Sequence, residues 1–329
     1  MRTRLLFGGV LTFFFLFFFL PIGSVYYRAF GDISLGDALE AVANVMSSSR
    51  TASIIGFTTG QAALSALIGV VVAFPLAYMV SHYEFPGKRL FYSLSLIPFV
   101  LPSIIVVVCM ISFYGKSGLI NSIFGTDYNL VYNFRGIILA HVFYNFSLAI
   151  RVIATAWSSI DRRYREAAES LGENRFGMLF RVTLPLLAPA VASGFVLIFI
   201  YTFLSFGIIL VFGGVQFATL EVAIYQEMFI DLDLISAGVY SLVQLVISVV
   251  LIALSTKAIN ATRVARVSDD RPLPRLMDAS PTGRLLMGGY AILALLFVLG
   301  PIVTMIARAF TDSGGLPSFE NFRELLVPG

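Results

Sequence analysis

The chain has 329 residues, of which 58% are apolar and 12% charged, and its mean hydropathy is +0.89. That balance excludes an ordinary soluble domain, and the single cysteine, Cys109, excludes an internal disulfide and any cysteine-based metal cluster. The net charge of +3 follows from membrane topology, argued below, and gives no case for nucleic-acid binding.

A bilayer span needs about 20 apolar residues. Seven stretches qualify, over residues 5–27, 53–81, 90–113, 136–157, 188–212, 235–257 and 285–307. Lipid offers no partner to backbone polar groups, so all seven are expected to be helices. The first, with Arg2 and Arg4 ahead of the run Phe13 to Leu20, is too long for a secretory signal and has no A-x-A cleavage site after it. It is therefore read as a retained span.

Charge sets the orientation. With a cytoplasmic N-terminus, the inner segments hold most of the 22 Lys and Arg. Arg162, Arg163, Arg165, Arg175 and Arg181 lie between spans four and five, and Lys257, Arg263, Arg266, Arg271, Arg275 and Arg284 between spans six and seven. This is the positive-inside distribution. Arg151, near the inner end of span four, is expected to snorkel to the headgroups. The outer segment from Gly213 to Ser236 holds Glu221, Glu227, Asp231 and Asp233 without a Lys or Arg. Leu220, Ile224 and Met228 can line one face of a short helix there, either a contact for a soluble partner or a loop packed on the bundle.

The inner segment after span four carries the most specific pattern. Residues 166–185 read EAAESLGENRFGMLFRVTLP, which fits E-A-A-x3-G-x9-[I/V]-x-L-P through Glu166, Ala167, Ala168, Gly172, Val182, Leu184 and Pro185. Asp161 is placed to cap a helix. Ala167 and Ala168 favour the helix and are small enough to let it sit deep in a partner's groove. Gly172 is free to take the left-handed conformation that ends it, and Asn174 to cap a following turn that carries Phe176 and Phe180. Glu166 offers an acceptor to an Arg, a Lys or a backbone N–H, on a partner or locally.

The pattern resembles the EAA loop of the membrane-spanning subunits of type I bacterial ABC importers. The resemblance implies an all-α, polytopic helical bundle in the bacterial inner membrane, with a six-span permease domain. It also implies a cytoplasmic ABC ATPase dimer and a periplasmic or lipid-anchored substrate-binding protein as partners. In that family the loop is the handle grasped by the ATPase, and it moves as a rigid lever when the ATPases close on ATP. Glu166, Ala167, Ala168, Gly172, Leu184 and Pro185 are then the ATPase-coupling residues. No catalytic, metal or cofactor site is expected in the chain itself. Gly115-Lys116-Ser117 lacks the earlier glycine of a phosphate loop, that position being Met110.

The expected spans hold no Asp or Glu, which weakens an ATP-independent, ion-coupled transporter as the alternative. Polar residues among them that could serve a pathway are Gln61 and Ser65 in span two, His141 and Asn145 in span four, Ser205 in span five and Gln244 in span six. Each either lines a translocation pathway or hydrogen-bonds between helices.

The chain also repeats itself. Arg4-Leu5-Leu6-x-Gly8-Gly9 recurs from Arg284, an offset of 280 residues, and Pro21-Ile22 recurs as Pro301-Ile302. Arg28-Ala29-Phe30-x-Asp32 likewise recurs as Arg308-Ala309-Phe310-x-Asp312. The expected organisation is a first span and outer loop (1–50), a permease core (51–262) with its EAA loop (161–187), a cytoplasmic linker (263–283), and the start of a second repeat (284–329), cut short after one span. A second permease half or a second copy would complete it. The repeat, with phrases such as Ile138-Leu139-Ala140-His141 and Leu220-Glu221-Val222-Ala223, resembles the fused double permeases serving thiamine or ferric iron, the thiamine type most closely. Thiamine is the expected substrate, and ferric iron the alternative.

Overall fold

Among the described residues of the computed structural model, seven helices are long and apolar enough to cross a membrane: Phe7–Phe30, Ser49–His82, Ser103–Phe124, Phe134–Ser158, Phe176–Phe203, Leu234–Thr256 and Pro281–Ala309. They are numbered spans 1 to 7. The structure describes residues 2–214, 216–261, 273–311, 316–319 and 321–323, and no strand occurs among them. Residues 263–272 of the expected linker, with Arg263, Arg266, Arg271 and Pro272, lie outside the described residues, as does Asp312 of the repeat.

Prolines explain where the helices depart from the apolar runs. The run expected as one span over 90–113 is three helices, Lys88–Ser95, Ile97–Val100 and Ser103–Tyr114. Pro102 has no N–H to donate and forces the residue before it out of the α region. Leu101 is accordingly extended, at φ −69° and ψ 142°. The run expected over 188–212 begins earlier and breaks. A helical turn over Arg175–Met178 passes through a wide π-turn, Leu179–Thr183, into Leu184–Phe203. Pro185 lacks the N–H that would bond Arg181, and the backbone instead closes from Leu184 N–H to the Leu179 carbonyl. The helix stops at Leu204 and resumes over Gly207–Phe212.

Contacts divide the chain into two compact units, Met1–Thr58 with Phe217–Val250, and Thr59–Gln216 with Leu251–Gly329. In the first unit, the C-terminal end of span 1 packs on the start of span 6. A Cβ on Gly238 would stand 2.9 Å from the Phe30 ring, and Ser241 Oγ donates to Tyr26 Oη at 3.2 Å. The most apolar stretch of span 1 buries nothing. The expected short helix is present as Leu220–Phe229, with Leu220, Val222, Ala223 and Glu227 buried. Its first backbone N–H donates to Thr58 Oγ1 at 3.1 Å.

In the second unit, spans 4 and 5 form the centre. Small residues let them approach closely: a Cβ on Gly194 would meet the Ala149 side chain at 3.3 Å and its Cα at 3.4 Å. Span 7 packs into this unit, burying Val298, Pro301, Ile302 and Thr304. The Phe297 ring meets Phe143 and Phe146 edge-on at 5.6 and 6.0 Å, and Gly300 leaves room for the Phe113 ring.

Candidate coupling loop and buried polar cluster

The segment after span 4 folds by local rules. Asp161 caps the helix Arg162–Ser170, its Oδ1 accepting from Arg163 N–H at 2.9 Å. Gly172 ends that helix at φ 81°, in the left-handed region that glycine enters without steric cost. Leu171 N–H and Glu173 N–H then close on the carbonyls of Ala167 and Ala168 at 3.1 and 3.0 Å. Asn174 caps the next turn, its Oδ1 accepting from Gly177 N–H at 2.8 Å. Arg181 reaches back to Glu173 at 2.6 Å and ties the two halves of the loop together.

The six expected coupling residues do not share one environment. Glu166, Ala167, Gly172 and Pro185 are exposed, Leu184 is half-buried, and Ala168 is buried at 5% exposure. Glu166 makes no side-chain hydrogen bond or ion pair among the described residues. Sequence reasoning missed the apolar rim around them. Leu171 is 84% exposed, Phe176 75%, Phe180 62% and Tyr164 56%. Large apolar side chains on a polar loop of this kind mark an interaction surface. Caps and prolines were visible in the sequence, but which aromatic side chains stay uncovered follows from tertiary packing.

The intramembrane polar residues fall into two groups. Gln61 and Asn145 converge on Thr202. Gln61 Nε2 donates to the Thr202 carbonyl at 3.3 Å, and Asn145 Nδ2 to Thr202 Oγ1 at 3.2 Å. All three are fully buried. His141 lies one turn along span 4 from Asn145, also fully buried, and neither ring nitrogen has a hydrogen-bond partner among the described residues. Ser205 sits in the break after Phe203, its N–H on the Thr202 carbonyl at 3.2 Å. Gln244 belongs to the other unit, where its Nε2 donates to Glu221 Oε1 at 3.3 Å.

The acidic segment from Gly213 to Ser236 is partly neutralised. Glu227 is buried and pairs with Arg50 at 2.6 Å, while Asp233 caps span 6 by accepting from Ser236 N–H at 3.0 Å. No cation pairs with Glu221 among the described residues, and burial pushes its carboxyl up to about 7. Arg151 has a partner within the chain. Its guanidinium donates to the Tyr92 carbonyl at 3.0 Å and lies 5.3 Å over the Tyr92 ring.

Residues 65–269, more than half of the chain, match the family described as the binding-protein-dependent transport system inner membrane component. The thiamine transport system permease protein ThiP of Salmonella typhimurium is 32% identical over 272 residues, covering 79% of this chain and 49% of the relative. That of Escherichia coli is 31% identical over 265 residues, covering 77% and 48%. The chain thus spans about half the length of the curated relatives it matches. Among solved structures, a bacterial ABC transporter involved in the import of the acidic polysaccharide alginate superposes with a TM-score of 0.61 at 20% identity. The match covers 82% of this chain and 97% of that one, a likeness of fold. An all-helical, multi-pass architecture and the family match over its central spans agree: the chain belongs to the inner-membrane components of binding-protein-dependent transport systems, the type I ABC importer permeases.

Proposed function

We propose that this permease carries thiamine across the bacterial inner membrane and takes its drive from a separate ATPase dimer docked on residues 161–185. The observation that carries the coupling role is the loop itself. It presents a short capped helix with the small, exposed Ala167 beside an uncovered rim of Leu171, Phe176 and Phe180, while Ala168 packs inward. A groove in a soluble partner can take the small face while the rim supplies apolar area at about 25 cal/mol per Å² buried. The Glu173–Arg181 pair and the Gly172 cap hold the two short helices as one piece, so a displacement of the loop is passed to span 5 through its continuous helix.

The N-terminus is placed in the cytoplasm by the distribution of Lys and Arg. A soluble binding protein delivers the substrate at the opposite side, where Glu221 and Glu227 lie. Gln61, His141, Asn145, Ser205 and Gln244 are proposed to line the pathway. Span 1 supports a further partner. Its repeat counterpart, span 7, is packed against a permease core, whereas the apolar stretch of span 1 buries nothing. The equivalent surface of a second six-span unit, a second half or a second copy, is the proposed seat for span 1.

The test is reconstitution with the ATPase, the binding protein and a second permease half. Thiamine uptake into vesicles is expected to require ATP and the binding protein. Uptake driven by an ion gradient without ATP would overturn the reading, and ATP-dependent uptake of ferric iron but not thiamine would replace the substrate while leaving the coupling intact.

A further inference from the structure

Spans 2, 4 and 7 enclose a groove of ≈ 530 Å³ within the second unit. Ile138, Val142 and Phe146 form its buried floor, and the exposed Leu64 and Leu293 stand on its rims. Span 7 meets span 4 midway, where Phe297 touches Phe143 and Phe146. Two turns from that contact toward the start of span 4 lies Arg135, and two turns the other way along the antiparallel span 7 lies Tyr290.

The two polar groups differ. The Tyr290 hydroxyl is already satisfied, donating to the Val72 carbonyl at 2.9 Å, so that end offers an occupant only ring and methylene surface. Arg135 is exposed and makes no hydrogen bond or ion pair among the described residues. The nearby Asp127 is taken by Lys116 at 3.5 Å. Asn133 caps the helix immediately before Phe134, which puts Arg135 in the first turn of span 4.

We propose that this groove binds one acyl chain of an anionic phospholipid, with its phosphate on Arg135. Dimensions and charge both favour that occupant. From Phe134 to Phe146 the helix rises about 18 Å, which matches one leaflet of a hydrocarbon core roughly 30 Å thick. The volume lies in the range that encloses a small organic ligand. A polar solute would lose its hydration along a wall with nothing to replace it, whereas an acyl chain is at home there. The lone cation at the mouth complements a phosphodiester and prefers an anionic headgroup over a zwitterionic one. A lipid seated here would fill the space between span 7 and the core and so fasten the two together.

Native mass spectrometry of the whole permease assembly, with palmitoyl-oleoyl phosphatidylglycerol or phosphatidylcholine added, tests the proposal. One phosphatidylglycerol per groove is expected to persist, held about fivefold more tightly than phosphatidylcholine. Arg135→Gln should abolish that preference, and Ala294→Phe, which fills the groove, should remove the bound lipid. Should Ala294→Phe fail to assemble, a phosphatidylglycerol carrying a photoreactive acyl chain is applied to the unaltered protein. Adducts on peptides holding Leu64 to Val72, Ile138 to Phe146 or Tyr290 to Phe297 support the site. Adducts confined to the exposed face around Val246 and Val249, equal retention of the two lipids, or lipid retained by the filled groove would overturn it.

Discussion

Gly172→Ala isolates the contribution of one backbone angle to ATPase docking. Gly172 stands at φ 81°, and a Cβ there would meet nothing within 4 Å. The whole cost is therefore backbone strain, about 1–2 kcal/mol for an L-residue in the left-handed region. If the loop must keep this turn to present Ala167 and the Leu171 rim together, the strain is added to the docking equilibrium. One to two kcal/mol corresponds to about a 5- to 30-fold weaker ATPase affinity. The assay is ATPase binding to nanodisc-embedded permease by surface plasmon resonance, with hydrolysis measured on the same samples. Gly125 supplies the control. It sits at φ 62°, again with nothing within 4 Å of a Cβ, and caps the helix Leu119–Phe124 away from the loop. Gly125→Ala should carry similar strain and leave ATPase affinity unchanged, and Gly172→Asn should retain most of the binding because asparagine tolerates this conformation. Equal loss in the two alanine variants, or none in Gly172→Ala, would refute the reasoning.

Three other perturbations test the account. Gly194→Leu places a side chain where a Cβ alone already lies 3.3 Å from Ala149, and overpacking of this kind should cost about 1–3 kcal/mol, read as a lower midpoint of thermal unfolding in detergent. Glu221 has a folded value of about 7 against an ordinary 4.5. The folded state therefore holds this proton more tightly, and its stabilisation is full below pH 4.5 and lost as pH rises through 7, by at most about 3 kcal/mol. Thermal unfolding between pH 5 and 8 should show that slope, and Glu221→Gln should flatten it while Glu227 and Arg50 remain as an internal reference; an unchanged slope would assign it elsewhere. Asn145→Ala and Thr202→Val each remove the hydrogen bond between these side chains, worth about 0.6 kcal/mol in a helical bundle. A pathway role for Asn145 predicts a raised KM for uptake in the first variant alone, and identical behaviour of the two would reduce Asn145 to a structural contact.

Long apolar runs and the loop's local signals carried most of what the sequence revealed. Asp161, Gly172 and Asn174 act through neighbours at most three residues away, so their capping roles were readable without the fold. The helix break at Pro102 was harder, because it sits inside a run whose hydropathy alone suggests continuity. Long-range partners were not legible at all. Tyr92 as the partner of Arg151, and Thr202 as the meeting point of Gln61 and Asn145, join residues far apart in the chain. Hydropathy likewise identified span 7 as one more membrane helix, but its seat against Phe113, Phe143 and Phe146 depends on three-dimensional packing. The groove beside it, with Arg135 at the mouth, could be found only once that seat was known.

Photo-crosslinking from the loop tests the coupling claim most directly. A photoreactive amino acid is placed at Leu171 or Phe176 in the assembled transporter, and at Phe124, an equally exposed apolar residue on the segment before span 4. Adducts to the ATPase subunit are expected from Leu171 and Phe176, changing in yield when ATP is added, and none from Phe124. An uptake-competent transporter that gives ATPase adducts at Phe124, or none at Leu171 and Phe176, would contradict the assignment of residues 161–185 as the coupling surface.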